Sequence, residues 1–151
     1  MLIMRYRVLI FEDDDSIRSA LWQFFDRLGY EVFTFPDPSL CPLNEKQFCD
    51  CPLEHACSDL ILSDINMPQV KGIDFIKDMM RKGCKVKDIA IMSGDWTIEA
   101  IEEAGKLDLK VIEKPFKFEV MGDWLDKCEK GLKENRKLSN LFINGKKNSL
   151  K

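Results

Sequence analysis

Hydrophobic residues along this chain fall into short apolar runs that alternate with longer amphipathic stretches. The apolar runs, each bounded by polar or turn-forming residues, predict five buried strands at residues 7–11, 31–35, 60–64, 88–92 and 109–112. The amphipathic stretches predict helices over about residues 16–28, 72–82, 97–104 and 117–134. Strands that alternate with helices at this spacing predict an α/β fold, a doubly wound parallel sheet with helices on both faces.

Residues 36–58 do not follow this alternation. The segment contains four of the six cysteines and several prolines, and its helical periodicity is poor. We therefore expect a loop with at most a short helical turn.

Length and composition limit the classes of protein to consider. A chain of 151 residues with 45% hydrophobic residues is sufficient for one domain with its own core. The formal net charge of −3 argues against direct DNA binding. No apolar stretch is long enough for a signal peptide or a membrane span, so we expect no membrane association and a cytoplasmic location.

Polar side chains follow the predicted strands at their carboxyl ends. Glu12 and Asp13 follow the first strand, Asp64 ends the third, Ser93 follows the fourth and Lys114 follows the fifth. Because these strand ends meet at one edge of a parallel sheet, we expect the side chains to converge there. The three carboxylates could hold Mg²⁺, and Asp64 could act as a metal ligand, a nucleophile or a helix cap.

Four ordered motifs resemble the receiver domain of bacterial two-component response regulators over about residues 5–132. The matching segments are residues 8–14, residues 62–68 with Gly72, residues 91–94, and Lys114-Pro115-Phe116. The resemblance implies a flavodoxin-like receiver fold with a five-stranded sheet in the order 2-1-3-4-5. It also implies a cis peptide bond before Pro115.

The same resemblance implies the roles of the site residues. Asp64 would be the phosphoacceptor. Asp13 and Asp64 would bind Mg²⁺ directly, Glu12 through a water molecule, and Asn66 through its backbone carbonyl. Ser93 and Lys114 would contact the phosphoryl group. The donor would be a sensor histidine kinase, and a phosphorylated surface would bind an output protein that the sequence does not identify; a homodimer is a further expectation.

Other functional classes are less consistent with these residues. An aspartyl-phosphate phosphohydrolase needs an acid–base aspartate two residues after the nucleophile, where this chain has Asn66. We therefore expect no enzyme activity beyond phosphorylation and dephosphorylation of Asp64. The alternative is a non-phosphorylated metal- or redox-sensing module on the same fold. Val111 replaces the aromatic residue that receivers usually carry three positions before the motif lysine.

The cysteine-rich loop has a chemistry of its own. Cys41, Cys49, Cys51 and Cys57 lie within 17 residues of one another, and thiolates so clustered in a reducing compartment can bind Zn²⁺. An iron–sulfur cluster, free thiols and disulfides are the alternatives. We expect a receiver domain over residues 5–134, with a cysteine-rich insertion at 36–58, and a polar, basic tail over 135–151, too short for an output domain.

Overall fold

The computed structural model describes residues 5–52, 55–68, 70–132 and 136–139, and its core is one parallel sheet. The strand order is β2-β1-β3-β4-β5, and each neighbouring pair is parallel. This confirms the predicted fold class and strand order. The strands are β1 (Arg7–Phe11), β2 (Glu31–Phe35), β3 (Leu60–Asp64), β4 (Asp88–Ser93) and β5 (Lys110–Glu113).

Four α-helices connect or follow the strands, close to the predicted positions. They are α1 (Asp15–Arg27), α2 (Gly72–Arg81), α3 (Ile98–Lys106) and α4 (Phe118–Lys130). Asp14 caps α1, because its carboxylate accepts the backbone N–H of Ile17 at 3.0 Å. The last helix is shorter than predicted: it ends at Lys130, where the N–H of Gly131 closes a turn on the Cys128 carbonyl.

Alternate strand residues point to opposite faces of the sheet, and each face builds its own core. On one face, Val8, Ile10 and Leu62 pack with the apolar sides of α1 and α4. On the other, Leu9 and Ile61 pack with α2, α3 and the loop after β2. Both faces of the central strands are therefore buried, as their uninterrupted apolar runs predict.

Between β2 and β3 the structure has no α-helix within the described residues. It has two short 3₁₀ turns, Pro38–Leu40 and Pro42–Glu45, followed by irregular chain. Cys41 and Leu43 are buried in the same core as Phe33 and Phe35, so the loop covers this face of the sheet. The predicted loop is confirmed, whereas its status as an insertion stays a prediction.

After α4, residues 136–139 return to the amino-terminal edge of the sheet. The Arg136 guanidinium forms a bidentate ion pair with the buried carboxylate of Asp59. Ser139 donates its backbone N–H to the Ala56 carbonyl at 2.8 Å and accepts from Arg7 through its own carbonyl at 2.9 Å. We call residues 136–139 the C-terminal clasp, and its contacts show that this part of the predicted tail packs on the domain.

Membrane association was expected to be absent. Over the ranges that the structure describes, no helix has the length and apolar character needed to cross a bilayer. The cytoplasmic location and the division of the chain at residue 134 stay predictions.

Candidate functional site

The carboxyl ends of four neighbouring strands deliver the predicted site residues to one edge. The register aligns Asp64 of β3 with Met92 of β4, and Ser93 with Glu113 of β5. Glu12 continues from β1 and donates its backbone N–H to the Phe35 carbonyl at 3.0 Å. The side chains predicted to converge therefore start from strand ends that are level with one another.

Three carboxylates meet at this edge. Each of Glu12, Asp13 and Asp64 has a carboxylate oxygen within 4.8 Å of those of the other two. Glu12 and Asp64 are buried, with exposed fractions of 0% and 5%, whereas Asp13 is exposed. The cluster thus has two buried members and one that faces solvent, which suits a cation that keeps several waters.

Lys114 supplies a positive charge to the two buried carboxylates. Its ammonium lies 2.6 Å from Glu12 Oε1 and 3.2 Å from Asp64 Oδ1. The Lys114–Pro115 peptide bond is cis, as the resemblance implies, and the Lys114 backbone N–H donates to the Ser93 carbonyl at 2.9 Å. Burial is the largest single influence and lowers the pKa of Lys114. The hydrogen bond that its ammonium donates to Glu12, together with the charges of Glu12 and Asp64, outweighs burial, so that the pKa of the lysine is raised.

Even with Lys114 present, the three carboxylates carry more negative charge than its single ammonium can neutralise. Burial, and then the charge of Asp64, raise the pKa of Glu12 to about 7, although Lys114 acts in the opposite direction. A divalent cation would relieve that repulsion, and carboxylate oxygens are the ligands that Mg²⁺ prefers. The residues present therefore fit a magnesium site.

Ser93 and Asn66 border the carboxylates in different ways. Ser93 is buried, and its Oγ accepts the backbone N–H of Asp95 at 3.0 Å, which fixes the start of the loop after β4. Asn66 is exposed and forms an isolated backbone bridge with Lys71. The roles assigned to both residues stay predictions.

Sequence reasoning missed Arg18, which supports the backbone of the acidic pair. Its guanidinium is buried and donates to the carbonyl of Glu12 at 2.9 Å and to that of Asp13 at 3.3 Å. One indication of this role was present in the sequence: Arg18 follows Ile17 directly, on the side of α1 that faces the core. Such a placement is costly unless the guanidinium finds buried acceptors.

The predicted zinc ligands Cys41, Cys49, Cys51 and Cys57 do not form one closed set. Among the described residues, Glu12, Asp13 and Asp64 are the only metal-ligating group of three or more with mutually close ligand atoms. Cys41, which lies between the two 3₁₀ turns, is buried in the apolar core instead. Zinc at these four cysteines is thus without support from the structure.

Comparisons with known proteins agree with this geometry. Residues 8–125 match the family model of the response regulator receiver domain. The chain is 26% identical in sequence to the chemotaxis protein CheY4 of Vibrio cholerae, with a TM-score of 0.66, covering 82% of this chain and 98% of that one. It is 27% identical to sporulation initiation phosphotransferase F of Bacillus subtilis, covering 83% of this chain and 94% of the relative.

A longer relative has the same similarity over part of its length. The chain is 27% identical to the transcriptional regulatory protein FlgR of Helicobacter pylori over 87% of this chain, but it spans only 32% of that protein. The family match extends from β1 into α4 and includes every strand end that contributes to the site. The chain therefore belongs to the response regulator receiver domain family, whose members are phosphoacceptor signalling domains.

Proposed function

We propose that this receiver domain accepts a phosphoryl group on Asp64 and that phosphorylation changes its partner-binding surface. The observation that carries the proposal is the contact of one lysine ammonium with Glu12 and Asp64, 2.6 and 3.2 Å away, at an edge where three carboxylates meet. A carboxylate poised beside an ammonium can attack phosphorus while the charge on the transferred group is stabilised.

In the proposed reaction, Asp64 is the nucleophile. One of its carboxylate oxygens forms the new bond to phosphorus as the bond from phosphorus to the donor atom breaks, and an acyl phosphate results. The position of Asp64 at the last residue of β3 fixes the carboxylate on a rigid element, which reduces the entropy cost of alignment.

Lys114 and Ser93 are proposed to bind the transferred group. The ammonium that contacts Asp64 Oδ1 would exchange this contact for a phosphoryl oxygen and keep its hydrogen bond to Glu12. Because Ser93 Oγ accepts from the Asp95 N–H, its own hydroxyl proton can be donated to another phosphoryl oxygen.

Mg²⁺ would be held by the carboxylates of Glu12, Asp13 and Asp64 and by the backbone carbonyl of Asn66. When bound, it would supply positive charge that offsets the charge of the phosphoryl oxygens. The exposed position of Asp13 leaves this side of the cluster open to solvent, where the donor must approach.

The donor in the cell is proposed to be a sensor histidine kinase, and the phosphorylated surface is proposed to bind an output protein or a second copy of the chain. Phe118, which is 69% exposed, packs against the half-buried Phe24 and Phe116, and Phe116 directly follows the cis Lys114–Pro115 bond. A large exposed apolar side chain this close in sequence to Lys114 suits a protein partner.

The experiment is incubation of the full chain with acetyl phosphate and Mg²⁺, followed by intact mass. We expect the addition of one phosphoryl group, dependent on Mg²⁺ and absent in Asp64→Asn. Asp59→Asn is the matched control, since Asp59 is also a buried aspartate of the same segment but lies at the other edge of the sheet. An unmodified wild-type mass would favour the non-phosphorylated module.

A further inference from the structure

A second cluster of reactive side chains lies at the amino-terminal edge of the sheet, away from the carboxylates. Ser139 links two cysteines of this cluster: Cys51 Sγ contacts its hydroxyl, and its backbone N–H donates to the carbonyl of Ala56, the residue before Cys57. The thiols also shift one another's pKa in pairs: Cys49 with Cys51, Cys51 with Cys57, and Cys57 with Cys84. Cys84 lies between α2 and β4, far from the others in sequence. All of these cysteines are free thiols.

These thiols interact in successive pairs, whereas in a metal site all of the ligands surround one ion. A tetrahedral zinc site needs all of its sulfur atoms close to one another. Within the part of the chain that the structure describes, no three of these thiols meet that condition. Pairwise contact is instead the arrangement required for a dithiol that forms a disulfide.

The surroundings of Cys51 favour its thiolate. Its Sγ lies 3.3 Å from the hydroxyl of Ser139, and the Lys85 ammonium is held beside it by a 2.6 Å hydrogen bond to its carbonyl. Hydrogen bonding from Cys57, together with that from Ser139 and the charge of Lys85, lowers the pKa of Cys51 to about 5 despite burial. A thiolate in an electropositive surrounding is the reactive form of cysteine.

Cys57 has the opposite character. Its interactions with Cys51 and Cys84, and then burial, favour the protonated thiol and raise its pKa well above the usual range. Its backbone is fixed as well, since its carbonyl accepts from Arg7 Nη1 at 2.9 Å. These shifts favour a thiolate at Cys51 and a protonated thiol at Cys57, which lie on two segments that Ser139 joins and whose far end Arg7 anchors to β1.

We propose that Cys51 and Cys57 form a redox-active dithiol that hydrogen peroxide oxidises to a disulfide. The Cys51 thiolate attacks one peroxide oxygen; an S–O bond forms, the O–O bond breaks, and the leaving hydroxide takes a proton from solvent to become water. Cys57 then gives up its proton and attacks the Cys51 sulfur; the S–S bond forms as the S–O bond breaks, and the leaving hydroxide takes that proton to become a second water. Two thiols are oxidised and one hydrogen peroxide is reduced to two waters.

The C-terminal clasp is placed to respond to this reaction. In the reduced form, Cys51 contacts Ser139, and Ala56, the residue before Cys57, pairs with Leu138 in a parallel bridge. A disulfide removes the thiol that contacts Ser139, so oxidation loosens the clasp at that point. A disulfide that forms and breaks in response to oxidant is the kind expected in a reducing compartment.

The test is oxidation of the full, reduced chain with equimolar hydrogen peroxide in the absence of reductant, followed by alkylation and peptide mapping. Trypsin leaves Cys49, Cys51 and Cys57 in one peptide, and a glutamate-specific protease then cuts it after Glu54. We expect the two halves to remain joined until reductant is added, with Cys128 alkylated as an internal control.

Single substitutions show which pair of cysteines forms the disulfide. The cross-link is expected to persist in Cys49→Ser and Asp64→Asn and to be lost in Cys51→Ser and Cys57→Ser, with far-UV circular dichroism as the check on folding. Lys85→Met, which keeps the side-chain length, should slow oxidation several-fold. The proposal is overturned if the two halves of the wild-type peptide separate without reductant, or if Cys49→Ser abolishes the cross-link. It is also overturned if the purified chain contains stoichiometric zinc that protects these thiols from oxidation.

Discussion

Gly72 lies where α2 begins against the strand that carries Asp64. A Cβ built at this position would lie 2.1 Å from the Asp64 carbonyl oxygen, and the Gly72 N–H donates to the Ile65 carbonyl at 2.8 Å. The contact is with backbone, which cannot swing aside as a flexible side chain would. Glycine therefore sets the distance between α2 and the proposed phosphoacceptor.

We predict that Gly72→Ala destabilises the fold by about 1–3 kcal/mol, because the added methyl group must push α2 from the strand. The matched control is Gly122→Ala within α4, where a Cβ has no neighbour within 4 Å. That change should be neutral or stabilising, by about 0.5–1 kcal/mol, since alanine favours a helix. Urea unfolding measures both; equal effects would contradict this explanation.

The carboxylate cluster makes a second prediction at the scale of single residues. Saturating Mg²⁺ should raise the melting temperature by about 5–10 °C, because a ligand at a hundred times its Kd stabilises by about 2.7 kcal/mol. Asp13→Asn should abolish most of that rise and raise the melting temperature without Mg²⁺, since one of three repelling charges is removed. Differential scanning fluorimetry provides the measurement.

The control for that prediction is Asp26→Asn, which alters an exposed aspartate on α1 outside the cluster. It should leave the Mg²⁺ response as in the wild type. A wild-type response in Asp13→Asn would show that Mg²⁺ does not bind at the carboxylates.

The site residues differ in how far the sequence could reveal them. Asp64 ends one apolar strand and Lys114 directly follows another. Because the carboxyl ends of parallel strands lie at one edge of the sheet, these positions alone predicted that the two side chains converge. The role of Arg18 was not foreseen: its pairing with Asp15 three residues earlier is the usual pattern of a surface helix, and the backbone carbonyls that it supports leave no mark in the sequence. The contact between Cys57 and Cys84 joins two loops distant in sequence and depends on the packing of α2.

At the scale of elements, the C-terminal clasp joins three parts of the chain at the amino-terminal edge. Asp59 has an exposed fraction of 4%, accepts the backbone N–H of Arg7 at 2.8 Å and pairs with Arg136. Arg7 in turn pairs with Glu31 at 2.6 Å. These buried charges connect β1, β2 and the start of β3 with the segment that follows α4.

We predict that Arg136→Ala destabilises the domain by about 1–3 kcal/mol, because it leaves the Asp59 carboxylate buried without its bidentate partner. Arg81→Ala is the control, since Arg81 pairs with Asp78 on the exposed surface of α2. That change should cost less than about 0.5 kcal/mol. Urea unfolding would contradict the role of the clasp if both variants lost the same stability.

Element positions were predicted well where the apolar pattern was strong. Every strand was located to within one residue, because buried parallel strands leave uninterrupted apolar runs. The end of α4 and the clasp were not predicted, because the polar composition after Gly131 resembles a solvated tail. The buried carboxylate of Asp59, whose partner the sequence does not name, pairs with Arg136, and the Arg5 carbonyl and the Tyr6 ring also contact its guanidinium.

At the scale of the whole molecule, the two edges of one sheet have different chemistry. The carboxyl-terminal edge holds the carboxylates and Lys114, as family membership leads one to expect. The amino-terminal edge holds the thiol cluster and the clasp. Because β3 (Leu60–Asp64) begins directly after Asp59 and ends at Asp64, a single strand connects the two edges, and α2 leads from Gly72, beside Asp64, towards the segment that carries Cys84.

This arrangement predicts that the two chemistries can be separated by mutation. Substitutions at Cys51 or Cys57 should leave phosphorylation from acetyl phosphate intact, because neither residue contacts the carboxylate edge. Phosphate incorporation measured by intact mass checks this. Loss of incorporation in a folded Cys57→Ser variant would show that the edges depend on one another.

The central claim is that Asp64 is the residue that receives the phosphoryl group. Borohydride reduces an acyl phosphate of aspartate to homoserine, so treatment after incubation with acetyl phosphate and Mg²⁺ marks the acceptor permanently. Peptide sequencing by mass spectrometry should find homoserine at position 64, dependent on Mg²⁺. Homoserine at Asp13 or Asp59 in place of Asp64, or at no aspartate, would contradict the account.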